Sequence, residues 1–409
     1  PLMNDNTGGL LFGGDFDPRF GPRLYFNGSG PAVLPGMPTT ETFAPSNGPY
    51  NNMGVPGAAS FHLLFDGYGN PGNLQAGLAN PYYIRMASAP NATVLGDALA
   101  QSPTFVSLWI GNNDVLGYAT SGGTGTITPQ PVFEGSINAI VGTLQQANVQ
   151  GVMANIPDVT SIPHFTTVPH NPIPLDAATA SFLNIASAYG AYNVGIQQAF
   201  AYLVGVGAVT QEAADAEIAK RTIIFNAGEG NAVVIMDEDL TNLTGINPAL
   251  ISMRQATADD LFVLPSSTFI GTEAIPGNPQ TVNGVAIPLA DKWVLTPEEQ
   301  MEIKIATDGF NATLAAAASQ AGFAFVDANM LMLQLADGSF TSGDYTPTAS
   351  LVTGGLFSLD GVHPTARGYA LLANEFMKAI DATYGSNFEA SGNLLNVGEY
   401  PTNYSPLLQ

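Results

Sequence analysis

Short apolar runs that alternate with long helix-like stretches constrain the fold of this chain most strongly. Three runs have the length of a strand, at residues 104–110, 151–157 and 322–327. Four stretches have helical composition and periodicity, at about 133–147, 176–203, 296–320 and 365–384. Strands that alternate with helices of this length predict βαβ units. The expected fold class is therefore α/β, with a doubly wound parallel sheet in which the first two runs are buried strands and the last run is a third strand.

Two regions interrupt this alternation. Residues 1–50 are rich in Gly, Pro and Asn and predict an irregular N-terminal wrap. Residues 222–225 and 232–236 flank a Gly-rich turn and predict a hairpin, with further extended pieces up to residue 295. The expected organisation is a wrap at 1–50, one domain at 51–385 with a β-rich insertion at about 220–295, and a tail at 386–409. The insertion is a candidate lid.

The charge balance excludes whole classes of partner. The 409 residues carry 10 Lys and Arg against 33 Asp and Glu, a net charge of −23. Such a field repels nucleic acid and anionic lipid headgroups, so neither is an expected partner. Charged residues make up only 11% of the chain, and cysteine is absent. The lack of cysteine excludes disulfides and thiol catalysis. The low charge, with abundant Asn, Thr and Gly, favours an exported bacterial protein over a cytosolic enzyme.

The segment Leu-Asp-Gly-Val-His-Pro-Thr at residues 359–365 carries the most specific chemical signal. Asp360 precedes His363 by three residues, in a turn that can place the carboxylate against one imidazole nitrogen. The other nitrogen would then face outward as a general base. Thr365 is expected to cap the helix that follows. The alternative is a histidine that only fills a turn; the preceding acid and the following helix favour catalysis.

Two weaker signals lie upstream. Gly111-Asn112-Asn113-Asp114 follows an apolar run, at the strand end where doubly wound sheets bind ligands. The Asn113 amide there could hold an oxyanion, although a plain strand-ending turn uses the same residue types. Residues 52–58 form a glycine loop that includes Gly57, whose backbone N–H groups could face a developing negative charge.

Taken in this order, the three blocks resemble those of the GDSL/SGNH hydrolases, a family of serine esterases. The family has a Gly-Asp-Ser block, a glycine loop, a Gly-x-Asn-Asp block and an Asp-x-x-His block. The resemblance implies that Gly57 and Asn113 hold the oxyanion and that Asp360 and His363 are the acid and base of a Ser-His-Asp triad. It implies a five-stranded parallel sheet between helices, an α/β/α sandwich, and ester hydrolysis without a metal or organic cofactor.

The amino-acid sequences of the blocks are most similar to those of surface lipoproteins of Bacteroidetes-type bacteria. This similarity implies a location at the bacterial cell surface or outer membrane. It also implies membrane attachment only through a lipidated N-terminal segment upstream of Pro1, and possible outer-membrane protein partners.

The serine block has no convincing counterpart in residues 1–53. Ser29 and Ser46 are the serines there, and neither lies in a Gly-Asp-Ser context. Gly14-Asp15-Phe16 carries Phe where the serine should be. We therefore expect the serine on a central strand upstream of Pro1. Two functions remain open: an esterase that cleaves lipid or acetylated-glycan esters, or a non-catalytic accessory subunit of an outer-membrane assembly that keeps the hydrolase fold.

Two further groups of residues suggest metal ligands only superficially. His164 and His170 each follow a proline, and with Asp158 they match no standard ligand spacing. They are expected to be loop residues near the site. Asp237-Glu238-Asp239 lacks the glycine and glutamate of an EF-hand and is expected to be a solvated turn.

Overall fold

The computed structural model describes residues 7–28, 30–46, 48–342 and 346–402. They form a mixed α/β protein with small sheets, and the chain divides into two compact units. The segments Pro1–Leu116, Ile127–Pro163 and Lys304–Gln409 make up the first unit. The second unit combines Gly117–Thr126 with His164–Ile303.

The strands and α-helices of the described residues are numbered in chain order. The strands are β1 (Leu11–Phe12), β2 (Asp15–Phe16), β3 (Leu24–Phe26), β4 (Pro31–Val33), β5 (Phe105–Leu108), β6 (Gln150–Ala154), β7 (Ile173–Leu175), β8 (Gly228–Asn231), β9 (Val234–Met236), β10 (Met253–Gln255), β11 (Leu261–Phe262), β12 (Val294–Leu295) and β13 (Ala324–Val326). The helices are α1 (Pro81–Ile84), α2 (Val94–Leu99), α3 (Asn113–Thr120), α4 (Gln130–Gln146), α5 (Pro163–Thr166), α6 (Ala177–Leu183), α7 (Tyr189–Gly205), α8 (Gln211–Arg221), α9 (Pro297–Ala321), α10 (Ala328–Ala336) and α11 (Ala366–Tyr384).

A three-stranded parallel sheet forms the centre of the first unit. Its strand order is β13-β6-β5, and each of the three apolar runs contributes one strand. The middle strand, β6, is buried along most of its length because it has a neighbour on each side. The expectation of parallel pairing among these runs is therefore confirmed.

The expectation that the run at 104–110 forms a buried strand is wrong for β5. Alternate residues of β5 are exposed, and Phe105 retains 38% of its accessible surface. In the part of the chain that the structure describes, β5 pairs only with β6. Its other edge therefore presents backbone N–H and C=O groups that no described strand takes up.

Helices α4, α9 and α11 follow the sequence pattern closely. The stretches at 133–147 and 365–384 form α4 and α11, and the stretch at 296–320 forms α9. As expected, Thr365 caps α11, because its side chain accepts a hydrogen bond from the Gly368 N–H. The helix ends at Gly385 in the left-handed conformation that glycine adopts without strain. Side chains of α11, among them Phe376, pack on the sheet beside Val152 and Ala324.

The second unit contains three small antiparallel pairs and the helices α5 to α8. The strand pairs are β7 with β8, β9 with β10, and β11 with β12. Their apolar side chains join those of α7 in one core, in which Phe200, Ile235 and Phe262 are fully buried. Removing such side chains from water is the main source of stability for a unit of this kind.

The hairpin predicted at residues 222–236 does not form. The expected turn is itself strand β8, and β9 pairs with β10. Residues 222–225 are held instead by side chains: Asn193 bonds the backbone of Ile223, and Asn184 bonds the backbone of Phe225. Side-chain amides here replace the ladder bonds of a strand.

The single helix predicted at 176–203 is two helices, α6 and α7. Asn184 follows α6, and its amide group bonds both the N–H and the C=O of Phe225. At Gly190, a Cβ atom would lie 2.6 Å from the carbonyl oxygen of Ile185, so the chain can turn back only because this residue has no side chain. Tertiary bonds of one asparagine therefore break a continuous helical pattern.

Among the described residues, no helix combines the length and apolar character needed to cross a membrane.

Candidate functional site

Asp360 and His363 lie in a tight turn before α11. The turn is enclosed by an isolated antiparallel β-bridge between Phe357 and Pro364. The Ser358 N–H donates to the His363 carbonyl oxygen at 2.7 Å, which closes the turn. Gly361 has a φ of +72°, a conformation that favours glycine. The result is a hydrogen bond of 2.7 Å between His363 Nδ1 and Asp360 Oδ2. The structure thus brings together the acid and the base that the sequence predicted.

Local donors hold the Asp360 carboxylate in place. Oδ1 accepts hydrogen bonds from the Val362 N–H at 2.8 Å, the His363 N–H at 3.0 Å and the Ser358 hydroxyl at 2.7 Å. Burial by itself would raise the pKa of Asp360. The hydrogen bonds from His363, Val362 and Ser358, with the charge of His363, outweigh it and hold that pKa well below its ordinary value. Ser358 was not singled out in the sequence, although it stands only two residues before the acid.

The bond to Asp360 also tunes His363. This bond raises the pKa of the imidazole above its ordinary value, against partial desolvation of the ring by its surroundings. The side chain is 63% exposed, and no described residue is hydrogen-bonded to Nε2. Since Nδ1 faces a carboxylate, the neutral ring carries its proton on Nδ1 and leaves Nε2 as the basic atom. This is the arrangement of a general base that an acid orients.

A cavity of about 630 Å³ lies beside the pair. It is lined mainly by apolar and aromatic side chains of the first unit. The lining residues are Arg23, Leu24, Ser358, Leu359, Asp360, Pro364, Thr365, Ala366, Tyr369, Ala370, Leu395, Tyr400 and Thr402. This composition suits an apolar portion of a ligand, with the Asp360 carboxylate at one wall.

Asn113 and the loop of Gly57 are also brought together. Asn113 is the first residue of α3, and its amide donates to the Ala58 carbonyl oxygen at 3.0 Å. Gly57 has a φ of +76°, and none of the described residues accepts a hydrogen bond from its N–H. Gly111 before α3 must also be glycine, since its φ is +117° and a Cβ would lie 2.9 Å from Ile156. An amide and an unpaired N–H therefore share one corner.

A buried carboxylate fixes this corner, and the sequence reasoning missed it. Asp114 is 1% exposed and accepts two hydrogen bonds of 2.8 Å from Ser60, one from its N–H and one from its hydroxyl. Burial raises the pKa of Asp114, and the bonds from Ser60 and Thr128 oppose that rise. The position of Asp114 directly after Asn113 was the available signal. Its structural role is to tie the glycine loop to the start of α3.

A groove of about 1060 Å³ runs along the open edge of β5. Its walls include residues of β5, of α2 and of α11, and it reaches the loop from Asn51 to Ala58 and the asparagines Asn112 and Asn113. Asp360 lines the other cavity, whereas His363 is not among the lining residues of either. No hydrogen bond between described residues joins the Asp360–His363 pair to Asn113 or Gly57. The site residues therefore form two groups rather than one network.

The candidate serines lie elsewhere. Ser46 bonds the carbonyl oxygen of Arg85 through its N–H at 2.8 Å and through its hydroxyl at 3.2 Å. Ser29 is outside the described residues. In the described ranges, no serine hydroxyl is hydrogen-bonded to His363. Phe16, which stands in the serine position of Gly14-Asp15-Phe16, lies in a short strand of two residues.

Within the described ranges, His164, His170 and Asp158 do not bring ligand atoms close enough together to hold a metal ion. His164 lies in helix α5 rather than in a loop, is buried, and packs edge-on against Phe165 with ring centroids 4.9 Å apart. Asp158 uses its carboxylate to accept bonds from Thr160, from the N–H at 2.9 Å and from the hydroxyl at 2.7 Å.

The expectation of a solvated turn at residues 237–239 is wrong for Asp237. That side chain is fully buried and pairs with the buried guanidinium of Arg254, which also bonds Asp260 at 2.7 Å. A carboxylate in such surroundings needs a cation, which explains the arginine.

Comparisons with family models, with curated proteins and with solved structures find no match to this chain.

Proposed function

We propose that this protein is a serine esterase of the GDSL/SGNH type. His363 takes the proton of the serine nucleophile, and Asp360 orients the imidazole and stabilises its charged form. The N–H of Gly57 and the amide of Asn113 hold the oxyanion of the tetrahedral intermediate. The intermediate collapses to the acyl-enzyme as the alcohol leaves with the proton from His363, and water then hydrolyses the acyl-enzyme with His363 again as the base. Activity at the bacterial surface on a lipid or acetylated-glycan ester belongs to this proposal.

The hydrogen bond between His363 Nδ1 and Asp360 Oδ2 carries the proposal. Its length is 2.7 Å, and three further donors hold the other carboxylate oxygen. A histidine that merely fills a turn needs neither the carboxylate nor an exposed second nitrogen. The pair matches the acid and base of a triad in geometry and in tautomer.

We further propose that the nucleophilic serine comes from a strand outside these 409 residues that pairs with β5. The open edge of β5 and the groove beside it support this idea, because a parallel strand there would satisfy unpaired backbone groups. The end of such a strand would lie near Asn113 and near Val55 and Ala58, which flank Gly57 and line the same groove. A doubly wound α/β/α sandwich is the fold that this addition would complete.

Labelling the purified native protein with a fluorophosphonate probe tests the mechanism. The esterase predicts a single serine adduct, located by peptide mass spectrometry, which disappears in His363→Ala and persists in the matched control His170→Ala. Turnover of a short-chain ester should follow the same pattern, while the melting temperature of His363→Ala stays near that of the wild type. Labelling that His363→Ala leaves unchanged would refute the triad.

The second candidate function is a non-catalytic accessory subunit of an outer-membrane assembly. The observation that favours it is that, in the described ranges, no serine hydroxyl bonds His363. In that case the wild type takes no label and turns over no ester, and partner subunits co-purify with it.

A further inference from the structure

Three acidic side chains of the second unit converge although they are far apart in sequence. Glu238 follows β9, Asp291 precedes β12, and Glu299 lies in the first turn of α9. Each offers one carboxylate oxygen, and these three oxygens all lie within 4.8 Å of one another. Like charges repel at such distances, so a protein gathers them where something positive balances them.

Glu299 has a structural task that accounts for only one of its two oxygens. Its Oε2 accepts bonds from the Thr296 N–H at 2.7 Å and from the Thr296 hydroxyl at 3.0 Å, and its own N–H donates to that hydroxyl at 3.3 Å. This is the capping box of α9. The residue is 4% exposed, and its Oε1 is buried without a hydrogen-bond partner.

Asp291 repeats the anomaly. Its Oδ1 is likewise buried and without a hydrogen-bond partner. A buried carboxylate oxygen with no donor loses its hydration without a hydrogen bond to replace it, which destabilises the fold. Two such oxygens on neighbouring carboxylates indicate a ligand that contacts both of them. Carboxylate oxygens bind cations, so the ligand is expected to be a cation.

The backbone around the cluster is shaped to this arrangement. Gly123, with a φ of +74°, lies so close that a Cβ atom would stand 1.5 Å from Glu299 Oε1. At Gly122 a Cβ would stand 2.4 Å from the Asp291 carbonyl oxygen. Only glycines allow the chain to cover these carboxylates. Glu238 is exposed and leaves an entry path from solvent.

Nearby basic groups are engaged elsewhere. Lys220 lies 3.2 Å from Glu298 and 3.5 Å from Asp237. Arg254 pairs with Asp237, and Lys292 lies over the ring of Trp293 at 5.0 Å. The positive charge that the three carboxylates require is therefore not supplied by these side chains.

We propose that Glu238, Asp291 and Glu299 bind a divalent cation, Ca²⁺, that stabilises the second unit. All three ligands are hard oxygens, which Ca²⁺ and Mg²⁺ prefer. Mg²⁺ usually takes one or two protein carboxylates and keeps several waters, whereas Ca²⁺ takes more protein oxygens at 2.3–2.6 Å. Three carboxylates from separate parts of the chain fit the coordination of Ca²⁺ rather than that of Mg²⁺. The site is separate from the Asp360–His363 turn and does not depend on the proposed esterase.

Without a cation, the same groups would have to hold protons. Burial, the charge of Glu238 and a hydrogen bond shared with Glu238, followed by the charge of Asp237, raise the pKa of Asp291 to about 7. Burial, with Asp291 and Glu238 nearby, raises the pKa of Glu299 to about 8, against the opposing bonds from Thr296. A cluster that only shares protons and a cluster that binds a cation respond differently to added calcium, so experiment separates them.

The test uses the purified protein, stripped with EDTA and titrated with CaCl₂ at neutral pH. Calorimetry should show one binding event, and the melting temperature should rise with the logarithm of the Ca²⁺ concentration above the dissociation constant. Glu238→Gln removes an exposed ligand, so the fold should survive while Ca²⁺ affinity falls tenfold or more. Asp291→Asn should have the same effect. The matched control is Glu298→Gln, a neighbouring acid outside the cluster that should keep wild-type affinity.

Three results would overturn the proposal. The first is the absence of both heat and thermal shift up to about 10 mM Ca²⁺, above the weakest range of natural calcium sites. Another is a thermal shift that Mg²⁺ produces equally and that Glu238→Gln leaves intact, because it would reflect general screening of acidic charge. An equal loss of affinity in Glu298→Gln would point to the same diffuse effect.

Discussion

The hydrogen bonds between Asp114 and Ser60 can be tested directly for their contribution to the stability of the region around Gly57 and Asn113. Asp114→Ala removes the acceptor of two hydrogen bonds, and both Ser60 donors are fully buried. Each buried donor left unsatisfied costs about 1–3 kcal/mol. We therefore expect the free energy of unfolding to fall by about 2–6 kcal/mol.

Asp114→Asn is the matched variant of nearly identical shape. Its amide oxygen can accept from the Ser60 N–H, and its amide nitrogen can donate to the Ser60 hydroxyl, so both contacts survive without the charge. Charged hydrogen bonds exceed neutral ones by about 1 kcal/mol each. Relief from burying a carboxylate, which raises the pKa of Asp114, offsets part of this loss. The expected cost is about 1 kcal/mol.

Urea unfolding at pH 7 measures these differences, provided that the slope m is unchanged among the variants. Ser60→Ala gives the decisive cycle. In the wild type it should cost about 1–2 kcal/mol, because it removes one of the donors to the buried Asp114 carboxylate. In the Asp114→Ala background it removes a hydroxyl that is already unsatisfied, so its cost should vanish or reverse. An equal cost in both backgrounds, or an Asp114→Ala variant within 1 kcal/mol of wild type, would refute the reasoning.

Three further outcomes follow from the described contacts. Arg254→Met leaves two buried carboxylates without their main cation and should lower the free energy of unfolding by about 3–5 kcal/mol in urea; a loss below 1 kcal/mol would contradict the pairing. In NMR titrations the pKa of the His363 ring should lie above 6.5, and Asp360→Asn should lower it. Because folding raises this pKa, the protonated ring stabilises the folded state fully below pH 6.5. That contribution is lost as the pH rises through the pKa of the folded state. Thr365→Ala should cost about 1–2 kcal/mol through loss of the cap of α11, while Thr365→Ser stays near wild type; equal losses would assign the effect to the missing methyl group.

The features that sequence reasoning predicted well are those that depend on local pattern. Strands β6 and β13 and helices α4 and α11 follow from apolar runs and helical periodicity, and the capping role of Thr365 follows from its place before α11. The contact between Asp360 and His363 spans three residues, so a turn alone can create it. Proximity in sequence made this half of the site visible.

The features that were missed depend on distant partners. The exposure of β5 is decided by what lies beside it, and the break at Asn184 by backbone 41 residues away. Asn113 meets Ala58 across 55 residues, and only the order of family-like blocks suggested that they belong together. The convergence of Glu238, Asp291 and Glu299 left no spacing pattern at all, because each comes from a different element.

Two kinds of strand can compete to pair with the open edge of β5: a strand of the same molecule and a strand of a second copy. A strand tethered to the same molecule reaches the edge at an effective concentration of about 1 mM, independent of dilution. A second copy of the chain arrives only at the bulk protein concentration, so at micromolar levels the tethered strand wins by about a thousandfold. Where no tethered strand is present, edge-to-edge association of copies meets no competitor, and its initial rate rises with the square of concentration. Pairing at this edge predicts that oligomers form when the protein is concentrated. It also predicts that these oligomers disappear when a complementary extended peptide is added.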